Sequence, residues 1–179
     1  MSYFNRIKSI EDEWYNEFYR IYSISFPVYE QRNKQQQISA FSDRRYNLYF
    51  LIGKDESDNE VMLSFIAFWD FEEYAYVEHF AVNDKYRGAN IGTDTLMKFK
   101  ETVKKNVVLE IDPVVDDVSS KRFEFYKKIG FGLCSYKHTH PAYYNHYEPH
   151  ELLVLSTEIL TQDLYNTFNK DLNETVMKE

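Results

Sequence analysis

The sequence predicts an α/β fold, a mixed and mostly antiparallel sheet flanked by helices, as a single domain over residues 1–179. Three observations predict it. Three strand-like runs, 46–52, 61–69 and 74–82, follow one another across short turns, so they pair as antiparallel neighbours. The third run enters a glycine-bearing turn and then a helix with Gly92, Leu96, Phe99 and Val103 on one face. An apolar strand at 107–111 follows, which makes that helix a crossover and the sheet mixed. Finally, 179 residues with 44% hydrophobic and 18% aromatic content suffice for one core and argue against disorder.

Each element has a local reason. Between residues 11 and 26, Trp14, Phe18 and Ile21, with Tyr15, Tyr19, Tyr22 and Phe26 on an adjacent stripe, recur at helical spacing, and Pro27 ends the run. Residues 30–41 are polar with few apolar anchors, as in a helix lying on the surface. Residues 55–59 are turn formers and join the first two strands as a hairpin. A second crossover helix begins at Ser119 or Ser120, runs through Phe123, Tyr126 and Ile129, and stops at Gly130. Residues 131–136 and 152–156 give two last strands. Thr161 then caps a terminal helix over about 161–177, with Leu164, Phe168, Leu172 and Val176 on one face. It either packs on the sheet or meets a second copy in a homodimer.

Composition excludes several function classes. A net charge of −8 opposes nucleic acid as a partner, because phosphate binding needs a basic face, and suits a cationic or amine substrate. The single cysteine, Cys134, cannot form an internal disulfide and points to a reducing compartment. Glu11, Asp12 and Glu13 interrupt any secretory signal, and the apolar run 61–69 is too short for a bilayer. The expectation is a soluble cytoplasmic protein with no membrane attachment.

The turn after residue 82 is a candidate anion site. The first turn of a helix leaves backbone N–H groups unpaired and carries roughly +0.5 of a charge, so phosphates collect there. Here Arg87, Gly88, Ala89, Asn90, Ile91, Gly92 and Thr93 lead into the helix, with small residues for close approach and Arg87 as a planar donor. The Gly-Lys-Ser/Thr ending of a Walker loop is missing, and so are the three glycines of a dinucleotide fingerprint. The pattern Arg-x-x-small-x-Gly resembles the acetyl-coenzyme A loop of the GNAT (Gcn5-related) N-acetyltransferases, Gln/Arg-x-x-Gly-x-Gly/Ala. Asn90 stands at the first glycine position, and Asn tolerates positive φ better than other non-glycine residues. The run SSKRFEFYKKIGF at 119–131 resembles the family's second signature, matching it at Phe125, Tyr126, Lys128, Gly130 and Phe131.

The resemblance covers about residues 5–157 and implies a GNAT fold with the terminal helix outside it. It also implies acetyl-CoA as co-substrate and no metal. Main-chain groups of Phe80, Ala81 and Val82 would hold the pantetheine like an added strand, and Ser119 would hydrogen-bond it. Acyl transfer to an amine needs a proton acceptor, since a lysine-like amine has a reference pKa of about 10.4. Glu78 is the candidate, in phase with Tyr76, Phe80 and Val82, where aromatic flanks would desolvate it and raise its pKa. Its other reading is an ion pair with a surface lysine. The departing thiolate needs a proton donor, and Tyr126 is the family's usual general acid, its other reading being a core tyrosine.

These residues point to an acetyl-CoA-dependent N-acetyltransferase that moves acetyl to a primary amine, small-molecule or peptide, by direct transfer in a ternary complex. The alternatives are a catalytically inactive coenzyme A-binding sensor or scaffold, and a protein N-terminal acetyltransferase. Glu110 and Asp112 share a strand face and could attract a cationic acceptor. His138, His140, His146 and His150 crowd a Tyr-rich connection without metal-ligand spacing, and in this family that connection lines the acceptor site. Nothing marks Cys134 as an acyl carrier.

Overall fold

The computed structural model describes residues 3–178, which form two compact units meeting in sequence between Lys105 and Asn106. The first unit contains β1 (Asn5–Ile7), α1 (Tyr15–Ser25), α2 (Lys34–Ser42), β2 (Tyr46–Lys54), β3 (Glu60–Asp70), β4 (Tyr74–Val82) and α3 (Ile91–Val103). Its strands lie in the order β1-β2-β3-β4, all antiparallel. Strand β1 is too short to carry a sequence signal and was not expected.

Residues opposite one another in antiparallel strands point to the same face, so the register sorts the side chains. Phe50 lies opposite Phe65, and Phe65 opposite Ala81. This face takes α1: Phe18 meets Phe65 edge-on at 4.8 Å, and Trp14 meets Phe50 at 5.2 Å. The other face takes α3: Phe99 meets Phe68 at 4.8 Å, and the Ser64 and Thr95 hydroxyls share a buried hydrogen bond of 2.7 Å. Burying such aromatic side chains stabilises by roughly 1.5–3 kcal/mol each. Helix α1 ends as expected, with Phe26 extended before Pro27. Helix α2 starts on a reciprocal capping box between Asn33 and Gln36.

One irregularity in this unit matters. Ala67 pairs with His79 and its neighbour Phe68 pairs with Val77, so Glu78 is the extra residue of a β-bulge. The bulge breaks the expected alternation. Phe80 and Val82 lie opposite Ile66 and Ser64, on the α3 face, whereas Tyr76 lies opposite Trp69 on the α1 face. Glu78 is thus not in phase with Phe80 and Val82, and its carboxylate reaches Trp69.

The second unit contains β5 (Asn106–Ile111), α4 (Asp117–Lys128), β6 (Gly132–Leu133), β7 (Thr139–His140), β8 (His150–Glu151), β9 (Leu153–Ser156) and α5 (Gln162–Asp171). Strand β9 pairs antiparallel with β5 on one side and β6 on the other. The expected strand 131–136 shrinks to two residues. The expected Ser119 or Ser120 cap is corrected too: Asp116 caps α4, and Ser119 is its capping-box partner three residues on. The His/Tyr-rich connection carries a small hairpin, β7 with β8. Helix α5 is capped by Thr161 and continues as a π-helical turn over Leu172–Val176. It packs on its own unit, with Tyr165 stacked on Tyr136 at 4.4 Å and Phe168 on His138 at 5.5 Å. Helices and antiparallel strands thus give the mixed α/β class that the sequence predicted. Among the described residues, no helix is long and apolar enough to cross a membrane.

Candidate active site

Strand β4 delivers the chain into the anion-binding turn. Asn83 locks the exit: its amide donates to Met62 O at 2.8 Å, and its Oδ1 accepts from Lys85 N and Arg20 Nη2. Arg87 is extended, Gly88 has φ 88°, and Asn90 takes the left-handed region at φ 59°, ψ 8°. A Cβ on Gly88 would meet nothing, so backbone conformation alone demands glycine there. Asn90 holds the conformation expected of it. The N–H of Asp94 donates to Asn90 O at 3.0 Å, and among the described residues no side chain caps α3. Helices α2, α4 and α5 are capped by side chains, whereas α1, like α3, is not. The turn of residues 87–90 and Thr93 is exposed, while Ile91 and Gly92 are partly so. Thr95 ties this first turn to the sheet, bonding Ile91 O at 2.6 Å as well as Ser64. An uncapped, exposed helix start behind two left-handed residues fits a pyrophosphate. Of the strand residues before it, Phe80 and Val82 keep some surface, and Ala81 is buried.

Glu78 sits in a different setting from the one expected. Its side chain is 0% exposed and Arg32's is 6%, and they form a buried ion pair, Arg32 Nε donating to Oε1 at 2.8 Å. Trp69 Nε1 donates to Oε2 at 2.7 Å. Arg32 in turn lies over the Trp69 ring, 5.7 Å from its centroid, and its own N–H donates to the Tyr22 hydroxyl at 2.7 Å. His79 Nε2 donates to Glu30 O at 2.8 Å, since a carbonyl can only accept, leaving Nδ1 3.9 Å from Glu78 Oε1. Burial is the largest influence on Glu78 and pushes its pKa up. Arg32, then His79 and the Trp69 hydrogen bond, outweigh it and hold the carboxyl below its ordinary value. The expected upward shift is therefore reversed, and the partner is a buried arginine where a surface lysine was the alternative.

The remaining candidates belong to the second unit. Tyr126 is partly buried among Phe125 and Phe131, and desolvation pushes its phenol up to about 12. The Ser119 hydroxyl donates to Asp116 Oδ1 at 2.7 Å and accepts from the Val115 and Asp116 N–H groups, so it is engaged within the α4 cap. Asp112 pairs with Arg122 at 2.6 Å on the surface. Cys134 contacts Ser156 Oγ at 3.4 Å, and burial raises its thiol pKa, the opposite of an activated thiolate.

Glu110 instead joins the histidines. Its Oε1 makes a short hydrogen bond with His138 Nε2, and its Oε2 is 3.8 Å from His140 Nε2. His138 Nδ1 lies 3.1 Å from the Tyr165 hydroxyl, which donates its only proton to Lys137 O at 2.8 Å. With that proton spent, Nδ1 is the donor to Tyr165. His140 Nδ1 donates to Pro141 O at 2.6 Å, and its ring stacks on Tyr143. His146 stacks among Tyr144 and Tyr147. Burial, then His140, lowers the pKa of the partly exposed His150. Among the described residues, no group of three or more ligating side chains could hold a metal ion.

Sequence reasoning missed Arg32, Trp69 and Thr95 as site residues. Arg32 lies in a polar run that reads as surface, and no local pattern marks a bulge at Glu78. The histidines were noticed, but their partner Glu110 is distant in sequence.

A family model described as acetyltransferase (GNAT) family matches residues 11–131. Among solved structures, a protein from Bacteroides thetaiotaomicron assigned to the GNAT acetyltransferase family superposes with a TM-score of 0.85. It is 26% identical, and the match covers 98% of each chain. Arabidopsis thaliana Naa50, in complex with the bisubstrate analogue CoA-Ac-MVNAL, has a TM-score of 0.58 at 19% identity, over 88% of this chain and 99% of that one. A Bacillus subtilis acetyltransferase in complex with CoA has a TM-score of 0.58 at 14% identity, over 88% and 98%. Comparison with curated proteins gave no match.

Proposed function

The chain belongs to the acetyltransferase (GNAT) family, and from that premise we propose that it transfers acetyl from acetyl-CoA to a primary amine of a small molecule or peptide. The observation that carries this reading is the turn before α3, with Gly88 and Asn90 at positive φ and the helix start left without a side-chain cap. Main-chain donors from Arg87 to Thr93 would hold the pyrophosphate, and the main chain of Phe80, Ala81 and Val82 would hold the pantetheine. The co-substrate supplies an activated acetyl thioester.

The protein's residues supply the proton steps. Glu78 takes a proton from the acceptor ammonium as its nitrogen attacks. The hydrogen bonds that Arg32 and Trp69 donate to it favour its ionised form, the form that accepts a proton. Tyr126, still protonated at neutral pH because its pKa is near 12, donates to the sulfur as the C–S bond breaks. Transfer is direct, in a ternary complex. No residue marks a covalent carrier, since the Cys134 thiol is held protonated by burial.

Calorimetric titration with acetyl-CoA, followed by an amine panel read for acetylated product, tests the reading. A heat of binding and product from at least one amine are expected. Asn90→Val should weaken coenzyme binding about 5- to 30-fold, since a β-branched residue in the left-handed region costs roughly 1–2 kcal/mol. Asn90→Gly should bind as the parent does. Unaltered binding by the valine variant would remove the turn from the site.

A further inference from the structure

We propose that Arg32 is the positioning residue of Glu78 and that this pair suits the site to weakly basic acceptors, α-amino groups rather than lysine side chains. The inference rests on the acetyltransferase reading above. Three elements converge on the carboxylate. Arg32, from the segment ahead of α2, bonds one oxygen, and Trp69 of β3 bonds the other, while the bulge in β4 aims the side chain at both. The other titratable groups that act on this pair are His79 on β4, Tyr22 on α1 and Tyr46 on β2. The two tyrosines are buried with pKa values raised by desolvation and by Glu78 itself, so they stay neutral. Arg32 is a permanent cation at this carboxylate and cannot be titrated away.

The consequence is chemical. In the step, an N–H bond of the ammonium breaks and its proton goes to Glu78. The freed nitrogen lone pair then forms the C–N bond as the thioester C–S bond breaks, and the thiolate takes the Tyr126 proton. A carboxylate held by a guanidinium and an indole N–H has a reduced affinity for that proton. It can serve an acceptor that gives its proton up readily. An α-amino group, with a reference pKa of about 7.7–8.0, is roughly one-tenth neutral at pH 7, whereas a lysine amine near 10.4 is neutral in about one molecule in 2,500. Arg32 is the largest influence that holds the carboxyl down, so without it Glu78 would hold protons more tightly.

The test uses the full chain with acetyl-CoA and two acceptors. One is a short peptide with a free α-amine and no lysine, the other the same peptide with a blocked N-terminus and one lysine. At pH 7, kcat/KM for the α-amine should exceed that for lysine at least about tenfold. The ratio of wild-type to Arg32→Gln rates on the α-amine, in which the acceptor's own titration cancels, should be at least about tenfold larger at pH 5.5 than at pH 8. Trp69→Phe, which keeps the ion pair, should show the same trend more weakly and stands in if the arginine variant does not fold. A purely structural role would lower rates equally at all pH values. A flat ratio in both variants, or equal use of the two peptides, overturns the proposal while leaving acetyl transfer intact. No heat with acetyl-CoA and no product from either peptide overturns both.

Discussion

Two buried carboxylates, Glu78 on β4 and Glu110 on β5, meet cations of different character. Glu78 faces Arg32, which cannot lose its charge, whereas Glu110 faces His138, which can. An arginine partner makes the carboxylate obligatory, because removing it would strand a buried guanidinium. A histidine partner lets the pair fall back to two neutral groups. The first arrangement therefore specifies one protonation state, and the second leaves room for two. Substitutions at each site measure how far that distinction holds.

The largest effect belongs to Glu78→Gln. It removes the carboxylate that pairs with the buried Arg32 and should cost about 3–5 kcal/mol in urea denaturation. Turnover should fall by about 10²–10⁴-fold if Glu78 is the proton acceptor. The sign of the pH dependence follows from its lowered pKa. The stabilisation from Glu78 is fully present above the ordinary glutamate value and is lost as pH falls through the depressed folded value. The stability gap between parent and variant should thus be constant from pH 6 to 8 and narrow only at acid pH. A gap that narrowed near neutrality would mean that Arg32 does not hold Glu78 ionised.

Why one carboxylate was legible in the sequence and its environment was not has a physical answer. Glu78 stood out because a charge interrupts an otherwise apolar strand, and the glycine-bearing turn stood out because local φ demands leave a residue signature at Gly88 and Asn90. Strand order and the crossover helix are likewise written in hydrophobic period. A bulge leaves no such signature, because Val77, Glu78 and His79 read as ordinary alternation, so the phase of Glu78 came out wrong. Arg32 lies 46 residues away in a run that looks solvated, and its burial depends on Trp69 and Tyr22. The partner set therefore inverted the expected pKa shift. Ser119 had the right type for a cap, yet Asp116 three residues earlier took that place and engaged its hydroxyl.

Next in size is Tyr165→Phe, which probes the histidine side of the comparison. The Tyr165 hydroxyl donates to Lys137 O and accepts from His138 Nδ1. Its loss leaves a buried carbonyl and a ring N–H to find other partners, at a cost of about 1–3 kcal/mol. It also removes the constraint that makes Nδ1 the donor. His138 should then sit as a neutral ring with its single proton on Nε2, bonded to Glu110. Nitrogen-15 chemical shifts of the imidazole report this directly: Nδ1 should be of the protonated type in the parent and of the bare type in the variant. Unchanged shifts would show that Tyr165 does not set the tautomer.

The smallest effect should come from Glu110→Gln, and its smallness is the sharpest contrast with Glu78→Gln. The substitution is chemically identical, at a side chain that is also buried. Here, however, the partner adapts. His138 keeps Nδ1–H on Tyr165, presents a bare Nε2, and accepts from the new amide N–H, so this partner is left with no stranded charge. The cost should be about 1 kcal/mol, the net worth of a single hydrogen bond. Measured side by side in urea, the two Gln variants should differ by at least about 2 kcal/mol. Equal losses would mean that His138 is held as an imidazolium as firmly as Arg32 is held as a guanidinium, and the distinction between a fixed and an adaptable partner would disappear.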